Sequence, residues 1–117
     1  MPHPDFAYKV APRGLVDVAR ARGRFIGAPI DLSDGFIHLS TAEQLAETLR
    51  RYFAGQRDLV LFSVRVADFG PAMVWEASRG GALFPHLYAA LPMSAVRQSA
   101  AIEVAPDGTV ALPDWVK

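Results

Sequence analysis

Two short segments, Phe36-Ile37-His38-Leu39-Ser40 and Phe84-Pro85-His86-Leu87-Tyr88, each place an aromatic ring, an imidazole and a hydroxyl at alternate positions. On a β-strand alternate side chains share one face, so each segment presents all three groups together. If the two faces meet, one pocket gains two titratable imidazoles, two hydroxyls and aromatic walls. That mix of apolar lining and a few convergent polar groups is what a small-molecule site requires. The plainer reading makes each histidine a core residue hydrogen-bonded to backbone and gives Ser40 only a helix cap. The repetition of the pattern favours the pocket. Glu76, after Trp75 at the end of an apolar strand, could bind sugar hydroxyls, or act as a base if burial raises its pKa. The simpler alternative is a strand end facing water. Asp31 and Asp34 are expected to shape a loop through backbone hydrogen bonds, because their spacing does not make a calcium loop.

Other chemistries are excluded by composition or spacing. The chain has 117 residues and no cysteine, which removes disulfides, thiolate nucleophiles and Cys-ligated zinc. The three histidines are far apart in sequence, with no pair at helical spacing, so no metal is expected. Ser40 has no Gly-x-Ser-x-Gly elbow, and a capping serine is a poor nucleophile. Twelve basic residues balance twelve acidic ones, which argues against a nucleic-acid partner held by phosphate charge. Ten of the basic residues are Arg, a skew suited to carboxylate or phosphate recognition that genomic bias produces equally well. No apolar run has the length of a membrane span, and Met1-Pro2-His3-Pro4-Asp5 lacks the features of a signal peptide, so the expected compartment is the cytoplasm.

The elements that must position these residues follow from periodicity. Phe6, Tyr8 and Val10 alternate as in a half-buried strand that ends at Pro12, and a short helix follows from Gly14 to Arg22, stopped by Gly23. Residues Arg24 to Ser33 lack a sustained period and read as an irregular loop. Phe36 to Leu39 is a short strand. Ser40 then serves as N-cap, with Glu43 closing a capping box, for a helix whose apolar stripe includes Leu45 and Leu49 and which stops at Gly55. Leu59 to Val66 is the strongest strand, with Val60, Phe62, Val64 and Val66 on one face. Met73 to Glu76 and Phe84 to Ala89 are further strands around Ser78-Arg79-Gly80-Gly81, Pro85 pushing the second toward an edge or bulge. Ala100 to Val104 and Thr109 to Leu112 read as a hairpin around Pro106-Asp107-Gly108. The expectation is a single domain over residues 1–117, of the α+β class, with a mostly antiparallel sheet and two helices in the N-terminal half.

The run from Asp31 to Thr41, the pair Trp75-Glu76, the segment Phe84 to Tyr88, the Glu43-Gln44-Leu45 helix and the Ser78 to Gly81 loop together resemble the bacterial family catalogued as domain of unknown function 952. The resemblance spans nearly the whole chain. It implies remote similarity to the ADP-ribosyltransferase-like fold, whose members bind NAD. On that resemblance His38 matches the histidine used on a ribose hydroxyl of NAD. His86 matches the second histidine of the RNA 2′-phosphotransferase branch, and Glu76 takes the acidic role at an oxocarbenium-like centre. The chain departs from the family pattern at Leu15, where a Trp commonly opens the first helix, and at Ala28, where a Ser often follows Gly27.

The expected function is therefore a nucleotide-binding domain, with NAD as substrate and no metal. His38, His86 and Glu76 are the candidate catalytic residues, while Phe36, Ser40 and Tyr88 contact the ligand. Three alternatives stay open: a non-catalytic module for a small metabolite, a metal-free acid–base enzyme using His86 and Glu76, and a protein-interaction role.

Overall fold

The computed structural model describes residues 3–117, with Arg79 described by its backbone only. The Met1-Pro2 part of the leader reading lies outside the described residues. Three strands, β1 (Phe6–Pro12), β4 (Leu59–Arg65) and β8 (Val96–Ile102), form an antiparallel sheet in the order β1-β4-β8. Between β1 and β4 come α1 (Arg13–Arg22), β2 (Arg24–Phe25), α2 (Pro29–Asp34), β3 (Ile37–His38) and α3 (Ala42–Tyr52). After β4 a 3-10 turn leads to β5 (Met73–Ala77), β6 (Leu83–Leu87) and β7 (Leu91–Pro92). A second antiparallel sheet runs β3-β6-β5, and β2 pairs with β7. The class is α+β, as the periodicity indicates.

The central strand β4 explains why one small domain holds two core clusters. Val60, Phe62 and Val64 face α1 residues Val16 and Ala19 and the inner face of the second sheet, Ile37, Met73 and Leu87. Leu59 and Leu61 point the other way, onto Leu45 and Leu49 of α3. A strand buried on both faces reads as a continuous apolar run, which is what Leu59–Phe62 is.

Four local expectations are corrected. Arg24 to Ser33, expected to be an irregular loop, instead forms β2 and most of α2, so a third α-helix joins the two expected ones. Pro29 opens α2 with a pre-set φ, and the Asp31 side chain accepts from the Ala28 N–H at 2.8 Å. The helix is too short for its period to show. Thr41, not Ser40, caps α3: its hydroxyl accepts from Gln44 N–H, and Gln44 Oε1 accepts from Thr41 N–H. Ser40 is committed one step earlier, in a two-way backbone bridge with Tyr8 (2.8 and 2.9 Å). The helix ends at Tyr52, with Phe53 as its C-cap, rather than at Gly55. Thr109 to Leu112 forms no strand; Val110 and Leu112 instead pack on the α3 cluster.

One further departure lies at the site. Despite Pro85, β6 is the middle strand of its sheet. Its ladder with β3 holds Ile37↔Leu87 and His38↔His86, and Leu39 N–H then donates to Pro85 O at 3.1 Å. Pro85 has no N–H to return the bond, and the next residue, Ser40, pairs with β1 instead. The chain thus changes sheets immediately after His38, and the two sheets part there.

Candidate functional site

Where the sheets part lies a cavity of about 550 Å³, within the range of about 300–1,000 Å³ usual for small-molecule sites. Its polar lining includes His38, His86, Ser40 and Asp34, and its apolar lining includes Leu45, Phe53 and Phe84. The two histidines face each other directly in the strand register, with ring centroids 5.4 Å apart and planes at 69°. The two pentapeptides thus bring both imidazoles to one cavity by strand pairing, while the Ser40 hydroxyl reaches it through the bridge to Tyr8.

Each imidazole is fixed through Nδ1 by a carboxylate. His38 Nδ1 lies 2.7 Å from Asp31 Oδ1, and His86 Nδ1 lies 2.8 Å from Glu76 Oε1. A carboxylate at one ring nitrogen sets which nitrogen faces a ligand and how the ring is turned. His38 Nε2 reaches the more exposed Asp34 carboxylate at 2.9 Å. Glu76 also accepts from the Tyr88 hydroxyl at 2.7 Å. That bond, with the one to His86, holds the Glu76 carboxyl below its usual range, and it pushes the Tyr88 phenol up.

Asp31 is almost fully buried, at 1% exposure, and every bond it makes is short. Oδ1 accepts from the His38 backbone N–H at 3.0 Å as well as facing its ring. The buried Lys9 ammonium lies 3.0 Å from Oδ1 and 2.8 Å from Oδ2. Burial by itself raises the Asp31 carboxyl, but hydrogen bonds from His38 and the charge of Lys9 outweigh it and bring it down to about 2. Burial likewise pulls the Lys9 ammonium below its ordinary range, against the opposing pull of Asp31.

Gly27 and Gly35 bracket this helix for physical reasons. Gly27 sits at φ +125°, and a Cβ there would stand 2.8 Å from Asp31 Cβ, so a side chain would displace the carboxylate. Gly35 takes the left-handed conformation, φ +85°, and its N–H closes α2 on Asp31 O at 2.9 Å. The turn aims the chain directly into β3.

Phe36, Tyr88 and Glu76 do not line the cavity. Phe36 stacks on His86, with centroids 4.1 Å apart at 26°, and lies 5.1 Å from the Tyr88 ring. These three groups support the imidazoles from behind. Lys9 was missed as a site residue, and its signal was available: it is the one charged residue in the otherwise apolar strand Phe6–Pro12. Asp31 does bond to loop backbone as expected, but its bonds to Lys9 and His38 depend on the fold. Thr48, 3.1 Å from Ser40 across hydroxyl oxygens, reaches the cavity from α3. No helix among the described residues is long and apolar enough to cross a membrane.

The profile of the family described as "Protein of unknown function (DUF952)" matches residues 10–99. The X-ray structure of protein CC0527 from Caulobacter crescentus is 47% identical. The match covers 91% of this chain and 93% of that one, with a TM-score of 0.86. The solution NMR structure of CC0527 is 48% identical over 90% of each chain, with a TM-score of 0.79. A comparison with curated proteins gave no match.

Proposed function

Because the chain belongs to the family described as "Protein of unknown function (DUF952)", we propose from its site that it is a nucleotide-binding domain. In this reading the two-histidine cavity takes the nicotinamide riboside end of NAD and supports ADP-ribosyl transfer. One observation carries the proposal: two imidazoles, each held by a carboxylate at Nδ1, face each other on the floor of one cavity.

The sign of the surroundings supports this ligand over a phosphoryl group. Among the described residues bonded to the two rings, Asp31, Asp34 and Glu76 are all carboxylates, and the Lys9 ammonium, which also lines the cavity, is neutralised by its pairing with Asp31 at 2.8 Å. A site for phosphoryl transfer needs positive charge at the reacting group. This one favours a reaction that places positive charge on the sugar, as cleavage of the nicotinamide–ribose bond does by moving that charge from the ring nitrogen to C1′. Preorganised groups of opposite sign stabilise such a centre without reorganising.

The residues then divide as follows. His38 and Ser40 hold ribose hydroxyls, the ligand displacing Asp34 from His38 Nε2. The bond from ribose C1′ to the nicotinamide nitrogen breaks, and its electron pair leaves with neutral nicotinamide. Positive charge shared between C1′ and the ring oxygen is stabilised by the carboxylates behind the imidazoles. An acceptor hydroxyl or water forms the new bond at C1′ and gives its proton to His86. Glu76 acts through His86.

Thermal unfolding with added NAD or ADP-ribose tests the binding step. A ligand at 100 times its dissociation constant adds about 2.7 kcal/mol of stability, so a saturable rise in midpoint is expected for both. The absence of any rise at millimolar ligand would overturn the NAD reading.

A second reading is favoured by one contact, the 2.8 Å pairing of His86 Nδ1 with Glu76. That dyad is the arrangement of an acid–base catalyst oriented by a carboxylate. If the protein turns over a small substrate by this dyad, its pH–rate profile is bell-shaped and Glu76→Gln removes one limb. A Glu76→Gln profile with both limbs intact rejects the dyad.

A further inference from the structure

We infer that Lys9 is a positioning residue of this site: its buried ammonium holds His38 from two sides, through Asp31 to the ring and directly to the backbone carbonyl. Nζ lies 2.8 and 3.0 Å from the two Asp31 oxygens and donates to His38 O at 3.0 Å. The Asp31 oxygen that faces the His38 ring also accepts from the His38 N–H. One ammonium and one carboxylate thus grip the ring, the N–H and the carbonyl of a single residue.

The energetics suit this role better than one in stability. Lys9 is 6% exposed and Asp31 1% exposed, and an ion pair so deep is often matched or exceeded in stability by apolar side chains of the same volume. Lys9 points from β1 into the apolar cluster that contains its neighbours Ala7 and Ala11, where a methionine would pack. What an apolar pair cannot do is keep a charged acceptor against His38 Nδ1. An ionised Asp31 there draws the ring hydrogen to Nδ1, whereas a free neutral histidine favours Nε2. The competing carboxylate, Asp34, is 41% exposed and lies in the screened mouth of the cavity, so it pulls more weakly. Lys9, by keeping a charged Asp31 on Nδ1, therefore leaves Nε2 as the nitrogen that His38 turns toward Asp34 and the cavity.

The inference rests on His38 being the residue that meets the ligand, but its test does not need a ligand. Long-range proton–nitrogen spectra of the imidazoles report the ring hydrogen directly. In the wild-type protein at neutral pH, His38 is expected to carry hydrogen on Nδ1. The double substitution Lys9→Met with Asp31→Asn removes both charges together, and in it His38 nitrogen shifts are expected to move toward the Nε2–H form. His86, held by Glu76, keeps its shifts and serves as the internal control. Should the double variant not fold, an alkaline titration of the wild type replaces it: His38 nitrogen shifts must follow the same midpoint as the Lys9 side-chain carbon. A wild-type His38 hydrogen on Nε2 alone, unchanged His38 shifts in the folded double variant, or His38 shifts indifferent to Lys9 titration would each overturn the assignment. NAD affinity of the double variant should also fall about tenfold, the scale of one charge-assisted hydrogen bond. If NAD fails to bind even the wild type while the shifts behave as expected, the nucleotide reading fails and the positioning role stands.

Discussion

Replacing Asp31 with Asn is expected to cost about 3–5 kcal/mol of folding stability, the loss typical when one partner of a buried ion pair is removed. The cause is specific. Asn carries no charge to balance the Lys9 ammonium, which is 6% exposed, and it cannot accept from Lys9, His38 and Ala28 as a carboxylate does. A loss of this size should lower the thermal midpoint by roughly 10 °C or more in a domain of this length. Asp34→Asn is the control. That carboxylate is exposed, and its loss should cost under about 1 kcal/mol. Acid should reproduce part of the effect in the unaltered protein. Asp31 is held at about 2 in the fold and titrates near 3.9 when unfolded. Its contribution is therefore complete above about pH 4 and is lost as pH falls through about 2, an integrated change of about 2–3 kcal/mol. Denaturant unfolding of both variants at neutral pH, and of the wild type across pH 6 to 2, checks both arms. Equal stability of Asp31→Asn and wild type would contradict the buried pair as described.

Substituting either cavity histidine with Ala should lower nicotinamide release from NAD by about 100-fold or more, the usual contribution of a positioned proton-transfer or orienting group. The two effects should differ in kind. If His38 holds the ribose as proposed, His38→Ala should raise KM as well as lower kcat. If His86 takes the acceptor's proton as proposed, His86→Ala should act mainly on kcat, because that interaction is made only as the reaction proceeds. Neither change should unfold the protein. His38 is partly exposed, and His86, though buried, bonds to the half-exposed Glu76 rather than into the core. Undiminished turnover in His38→Ala would sink the mechanism.

How much of this was readable beforehand depends on whether the cause was local. The facing histidines were legible because alternation on a strand is a local rule, and two segments obeyed it. Helix α3 was legible from Leu45 and Leu49, but its cap moved from Ser40 to Thr41 because Ser40 N–H and C=O are taken by Tyr8, thirty-two positions away in the chain. Pro85 suggested an edge and instead marks where the β3–β6 ladder stops. Its missing N–H faces one neighbour only, so β5 can still pair along the other side of β6. Most distant of all is the Lys9–Asp31–His38 arrangement. A lysine within an apolar strand indicates a buried charge, but not which of twelve acidic residues meets it. Asp31 looked like a loop former because its bond to Ala28 N–H is local, whereas its bonds to Lys9 and the His38 ring come from the fold.

The family and the solved relative at 47% identity establish the fold and leave the chemistry to the site itself. The most direct measurement of that chemistry is an NMR titration of the three histidine rings with NAD. Binding at the proposed site predicts that His38 and His86 resonances move together along one saturable isotherm. His3, stacked on Trp75 at a centroid distance of 4.1 Å and absent from the cavity lining, should stay still. Unmoved His38 and His86 at millimolar NAD, or movement of His3 alone, would contradict the account.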